Sequence, residues 1–221
     1  MRGSWEVCVA GEKLIALAQM ALYWPSEGML FIADVHLGKD ASFQSAGIPV
    51  PLGPTSETLA RLAELLHVVQ PRRVVMLGDL WHAKEGRTDD LVSEFIAWRE
   101  VHGEVEIILV EGNHDLKSGP LPEAARVIEV KEPHIVGPFA LCHHPEACPD
   151  GYVLGGHIHP GVVLEGRGRQ AVKLPCFWFG KQVAVLPAFG SFTGCGRVSP
   201  CEGDQVLIVC EGNVSPARIG G

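Results

Sequence analysis

Five short apolar runs, rich in β-branched residues, each end on a metal-binding side chain or a cluster of them. The runs span residues 29–33, 74–77, 105–110, 139–142 and 152–154. The groups that follow are Asp34-Val35-His36, Gly78-Asp79, Gly112-Asn113-His114-Asp115, His143 and Gly156-His157-Ile158-His159. Runs of this kind read as buried strands. In layered α/β proteins, chemistry collects at the carboxyl ends of strands. Five such ends converging on one point would bring together Asp, His and Asn donors for two metal ions.

The segments between the runs complete the architecture. Residues 5–24 read as two or three short strands, with a turn at Gly11-Glu12-Lys13. Residues 39–54 hold Gly47, Pro49, Pro51, Gly53 and Pro54, which predicts a long loop with little regular structure. Thr55-Ser56-Glu57 supplies a cap and an early acid for a helix. Leu59, Leu62, Leu65 and Leu66 then recur at helical spacing, and Pro71 ends the segment. Thr88-Asp89-Asp90 starts a second helix with Leu91, Phe95 and Trp98 on one face. Beyond Pro133 the pattern is mostly strand. Two β-α-β units followed by strands predict an α/β fold of two packed mixed sheets flanked by helices. No repeat or linker divides the 221 residues, so a single domain over 1–221 is expected.

Composition narrows the class. Hydrophobic residues make up 47% of the chain, which argues against disorder. No apolar run reaches the length of a membrane span, and the opening Met1-Arg2-Gly3-Ser4-Trp5-Glu6 lacks a secretory apolar stretch. A cytoplasmic location is expected. The seven cysteines form no C-x-x-C pair, which excludes a paired thiolate zinc site and predicts reduced, mostly buried thiols. Cys195 and Cys201 could still approach each other near the surface, but reduced thiols are the expectation. A net charge of −8 argues against a generally basic nucleic-acid binder. Two divalent ions would offset four of those charges. Lys39, Arg72, Arg73, Lys84 and Arg87 are candidates for a local basic patch, although each alone reads as a solvated charge.

Residue chemistry sharpens the site. An Asp and a His two apart project to one side of an extended chain, so Asp34 and His36 can hold one ion together. Asp79 follows a glycine that permits a sharp turn, and its carboxylate can give one oxygen to each of two ions. Asn113 offers a carbonyl oxygen. His143, His157 and His159 offer ring nitrogens. Mixed His, Asp and Asn donors suit Mn²⁺, Fe or Zn²⁺ better than Ca²⁺, and Mg²⁺ prefers an oxygen-rich shell. Mn²⁺ is the favoured pair of ions. His67, His102 and His134 read as structural. So do Trp81, Phe95 and Trp98, as core. Phe177, Trp178 and Phe179 cannot all face one core from a strand, so one or two exposed rings are expected, suited to nucleobase stacking.

The ordered series D-x-H, G-D, G-N-H-D, H and G-H-x-H resembles the calcineurin-like metallophosphoesterase superfamily. Asp34 to Lys39, Gly47-Ile48-Pro49-Val50-Pro51, Leu141 to Pro145, Gly156 to Gly161 and Leu186-Pro187-Ala188-Phe189-Gly190 resemble its bacterial DNA ligase-associated, PdeM-type branch. The resemblance implies a four-layer α-β-β-α sandwich. It assigns Asp34, His36, Asp79 and His159 to one ion, and Asp79, Asn113, His143 and His157 to the other. His114 would face the leaving oxygen as general acid or electrostatic clamp. The implied activity is a phosphodiesterase or nuclease acting on DNA, with ligase and helicase repair proteins as partners. Many relatives extend the second motif to G-D-x-x-D-R, whereas this chain reads Gly78-Asp79-Leu80-Trp81-His82-Ala83. The Asp that orients the catalytic His is replaced by His82, leaving Asp115 as the expected substitute. The phosphate-binding Arg is replaced by Ala83, which favours a diester over a doubly charged monoester. Lys39, His82 and His144 are candidates for touching substrate or supporting ligands. A small-molecule or cyclic-nucleotide phosphodiesterase is the alternative enzyme, and a non-catalytic assembly subunit the alternative outside enzymes.

Overall fold

Alternating apolar residues on two sheets build one shared core between them. The computed structural model describes residues 3–51, 53–165 and 170–217. Met1 and Arg2, from the opening stretch, and Leu52, from the expected 39–54 loop, lie outside these residues. The first sheet runs β1 (Trp5–Val9), β2 (Glu12–Leu17), β3 (Ala21–Trp24), β4 (Met29–Ile32), β5 (Arg73–Leu77), β6 (Glu106–Val110) and β7 (Val127–Val130), in that spatial order. The pairs from β1 to β4 are antiparallel and those from β4 to β7 are parallel. The second sheet holds β8 (His134–Val136), β9 (Phe139–Leu141), β10 (Tyr152–Gly155), β11 (Pro160–Glu165), β12 (Ala171–Phe179), β13 (Val183–Val185), β14 (Gly196–Arg197), β15 (Gln205–Cys210) and β16 (Asn213–Pro216). Its order is β14-β11-β12-β13-β10-β9-β8, with β15 and β16 paired beside β12. β9, β10 and β13 are mutually parallel. The five runs read from sequence are therefore β4, β5, β6, β9 and β10.

Strand periodicity divides the central residues between two cores. Met29, Phe31, Val75 and Leu77 point toward the second sheet and meet Phe139, Leu141, Leu154 and Phe177. Leu30, Ile32, Val74 and Met76 point the other way, under the helices. Burial on both faces explains why these parallel strands read as unbroken apolar runs. α2 (Pro54–Val69) covers the sheet with Leu59, Leu62, Leu65 and Leu66, and α3 (Asp89–Val101) with Phe95. Among the described residues every helix precedes Val127, and α2 and α3 pack on the first sheet. The outer face of the second carries a smaller apolar cluster built on Val162, Cys176, Val206 and Ile208.

Several local expectations need correction. The 39–54 segment is not all loop, because α1 spans Lys39–Ser45. Its buried Asp40 accepts the Gly53 N–H and the Thr55 hydroxyl, and Thr55 in turn accepts the Gly38 N–H. Thr55 thus ties two helices together and does not cap its own, which starts one residue earlier at Pro54. Pro suits that first turn because its missing N–H has no partner there. Thr88 does cap α3, accepting from the Leu91 N–H. Phe177 and Phe179 are buried between the sheets, and Trp178 turns to the opposite face, half-buried, donating to Asp204 Oδ2 at 2.8 Å. None of the three is an exposed stacking platform.

The five basic residues do not gather in one patch beside the centre. Arg73 begins β5, at the end remote from Asp79, and pairs with Glu106. Arg87 spends its guanidinium on the carbonyls of Ser118, Gly119 and Pro120. All seven cysteines are free, but only Cys142 and Cys176 are buried, so the thiols are not mostly interior. No helix among the described residues is long and apolar enough to cross a membrane.

Candidate metal centre

The ends of β4, β5, β6, β9 and β10 deliver Asp34 and His36, Asp79, Asn113 and His114, His143, and His157 and His159 respectively. Asp34, Asp79 and His143 are almost fully buried at the bottom of the cluster. Asp34 and His36 do come together, but not from the extended chain expected of them. Neither residue is extended: φ is 53° at Asp34 and 50° at His36, and likewise 55° at Asp79, 68° at His157 and 46° at His159. Left-handed backbone costs non-glycine residues on the order of 1–3 kcal/mol each and persists only where the surroundings impose it. Here the chains pair beyond the strands proper. The Asp34 N–H donates to Gly78 O at 3.2 Å, and His36 N–H to Asp79 O at 2.9 Å. Gly190 N–H donates to Asp34 O at 3.1 Å, and His157 N–H to Asp34 Oδ2 at 2.9 Å, joining the second sheet to the first. Gly78, at φ 82°, is needed twice over, since a Cβ there would collide with the His143 ring.

The donors fall into two groups. In one, His36 Nε2 and His159 Nε2 lie 3.2 Å apart, and His159 Nε2 lies 3.2 Å from Asp34 Oδ1. In the other, His143 Nε2 lies 3.0 Å from both Asn113 Oδ1 and His157 Nδ1. Asp79 stands between them. Its Oδ2 is 3.9 Å from His36 Nε2 and 3.4 Å from His143 Nε2. Its Oδ1 accepts the His114 N–H at 2.9 Å. One oxygen therefore faces both groups, where the sequence suggested one oxygen for each.

These donors fit divalent ions. Ring nitrogens sit about 2.0–2.1 Å from a bound transition metal, which places neighbouring ligands roughly 3 Å apart. That is the spacing found here between atoms that make poor partners for one another. Carbonyls fix the tautomers: His143 Nδ1–H donates to Leu77 O at 3.1 Å and His159 Nδ1–H to Gly194 O at 3.2 Å. Both Nε2 lone pairs are left facing the cluster. Burial, then the neighbouring His159, Lys39 and His82, push the His36 pKa down to about 2. That keeps His36 neutral, the form that binds metal. Burial also lowers His157 and raises Asp79.

The family described as calcineurin-like phosphoesterase matches residues 29–144. The chain belongs to this family. It is a metal-dependent phosphoesterase. The crystal structure of a nuclease from Pseudomonas putida, MPE, is similar at 37% identity with a TM-score of 0.85, covering 97% of this chain and 100% of that one. A structure of Yfce, a phosphoesterase from E. coli, is 14% identical with a TM-score of 0.38, covering 87% of this chain and 99% of that one. No curated protein sequence matches significantly.

Around the phosphoesterase centre, the remaining candidates take distinct places. His114 Nε2 lies 4.0 Å from Asp79 Oδ2, and its side chain is 33% exposed, so it stands at the mouth. Its Nδ1 bonds the backbone carbonyl of His82, and the two rings stack at 5.0 Å with 20° between planes. The His82 backbone and ring thus orient His114. Asp115 does not. It is buried and accepts four backbone N–H groups, from Asp79, Leu80, Trp81 and Gly112. It clamps the turn that presents Asp79. An unmatched buried donor costs about 1–3 kcal/mol. Asp115→Ala should therefore destabilise the fold by more than about 3 kcal/mol and lower metal affinity as well. Urea unfolding checks the first effect and metal titration the second. Unchanged stability would remove the clamp from the account.

His144 Nδ1 meets Glu132 Oε1 at 2.6 Å, and Glu132 Oε2 accepts the backbone N–H groups of His143 and His144. Glu132 belongs to no motif, and nothing in the sequence marked it. It holds the turn that aims His143. Lys39 begins α1, half-buried, close enough for the Asp34 charge to offset part of its desolvation.

Proposed function

We propose that this phosphoesterase hydrolyses phosphodiester bonds in DNA and serves DNA repair. The observation that carries the reading is the shared Asp79 Oδ2, with a donor group on each side and His114 Nε2 4.0 Å away at the open face. The near full-length similarity to a bacterial nuclease supports a nucleic acid as substrate. Asp34, His36, Asp79 and His159 would hold one ion, and Asp79, Asn113, His143 and His157 the other. Mn²⁺ is our choice, with Fe and Zn²⁺ as alternatives. When bound, such ions supply Lewis-acid activation of water and stabilise charge on the phosphate oxygens.

The chain's own groups do the rest. With Nδ1 held by the His82 carbonyl, the protonated His114 ring presents its Nε2–H to the leaving oxygen. Its backbone N–H on Asp79 Oδ1 fixes the distance between the proton donor and the centre. Stacking on His82 restricts rotation of the ring. Lys39 adds positive charge beside the phosphate. The site lacks the Arg that many relatives carry at Ala83, so a monoester dianion meets fewer fixed charges than it needs.

The expected result is a higher kcat/KM for bis-p-nitrophenyl phosphate than for p-nitrophenyl phosphate at equal Mn²⁺ and pH. Ala83→Arg should narrow that ratio. A strong monoesterase without diesterase activity would reject the reading. A small-molecule or cyclic-nucleotide diesterase is the second reading, favoured by the net charge of −8. Cleavage of DNA should weaken as salt rises, because phosphate contacts release counterions. A diesterase inert on every DNA form would select the second reading. The intact donor set argues against a purely structural subunit. We place the protein as a single domain in the cytoplasm, with ligase and helicase repair proteins as candidate partners.

A further inference from the structure

We propose that a small cleft beside the metal centre, headed by Arg61, binds a non-scissile phosphate of the substrate strand. The cleft has a volume of about 110 Å³ and is lined by Arg61, Ser191, Thr193, Gly194 and Cys195 among others. Arg61 projects from α2, and its guanidinium carbon lies 4.5 Å from the centre of the Phe189 ring. Its Nε and Nη2 are buried and have no hydrogen-bond partner among the described residues. Glu57, one helical turn earlier, is exposed; its charge offsets part of the desolvation of Arg61, but no hydrogen bond reaches this edge. A guanidinium stays charged in proteins, so burial without an acceptor is costly. Nε and Nη2 form one edge of the guanidinium plane. That edge matches two oxygens of a phosphate in a paired, planar contact.

The cleft and the centre share one segment of chain. Gly190 N–H donates to the carbonyl of Asp34, and the Gly194 carbonyl accepts from His159 Nδ1. Between those two points, Ser191 and Thr193 turn toward the cleft, and Ser191 Oγ sits 2.9 Å from Thr58 Oγ1 on α2. With the scissile phosphate at the centre, a neighbouring phosphate of the strand would lie against this wall. Residues 190–195 would then position ligands on one side and substrate on the other. The inference rests on the DNA reading above. Its ligand chemistry, a phosphate with two free oxygens, also fits inorganic phosphate.

The test uses the full chain and its Arg61→Gln and Arg61→Lys variants. Equilibrium binding of a single-stranded oligonucleotide is measured across a salt series, and binding of inorganic phosphate in parallel. Arg61→Gln should reduce the slope of log affinity against log salt by about 0.7, the value for one strand phosphate contact, and Arg61→Lys should restore it. The ratio of kcat/KM for oligonucleotide to that for bis-p-nitrophenyl phosphate should fall about tenfold in Arg61→Gln, as for a lost charge-assisted contact worth roughly 1.4 kcal/mol. An unchanged salt slope overturns the subsite, as does an equal loss on both substrates, which marks a structural role. Loss of inorganic phosphate binding alone overturns the strand assignment. Diester hydrolysis with no Arg61 effect removes only the subsite. An Arg61-dependent slope in a protein inert on bis-p-nitrophenyl phosphate removes only the hydrolytic reading.

Discussion

Asp79→Asn is expected to lose both metal ions together. Oδ1 is committed to the His114 N–H, so only Oδ2 is free to face the two donor groups. An amide cannot serve both needs. With its oxygen toward the groups, its NH₂ opposes the His114 N–H. With its NH₂ toward the groups, the shared anionic ligand is gone. Changing residues that merely support ligands costs about 10–100-fold in metal affinity. Loss of a ligand common to both ions should exceed about 100-fold at each. Metal analysis of purified parent and variant decides this, with hydrolysis of bis-p-nitrophenyl phosphate falling in parallel. Retention of two ions at unchanged affinity would end the bridging role.

His114→Ala should separate chemistry from binding. His114 contacts the centre through its backbone N–H, which alanine keeps, and presents its ring to the open side. Both ions and most substrate affinity should survive. kcat should fall by roughly 10²–10⁴-fold, the range for a positioned proton donor. A good leaving group needs less protonation, so the loss should shrink for p-nitrophenolate relative to an alkoxide. An equal loss across leaving groups would assign the ring to charge stabilisation instead. Full activity in the variant would remove His114 from the mechanism.

The strands were legible because their burial on both faces leaves uninterrupted apolar runs, and the donors because each follows such a run. The local geometry was not. Asp34 and His36 meet through left-handed turns, which a two-residue period cannot reveal. α1 was hidden by the Gly and Pro residues that follow it. Its anchor, Asp40 to Thr55 and Gly53, is a tertiary contact with no sequence spacing of its own. The same reason concealed the role of Asp115, whose four N–H partners come from two separate loops. Glu132 was unmarked because it acts through backbone groups 11 and 12 residues away. The adjacency of three aromatics in β12 suggested exposure, but the small cluster behind the second sheet gives Trp178 a second apolar surface.

The most direct test is anomalous scattering from crystals grown with Mn²⁺. Two peaks are expected. One lies among Asp34, His36 and His159, the other among Asn113, His143 and His157, and Asp79 ligates both. A single ion, or two ions that do not share Asp79, would contradict it.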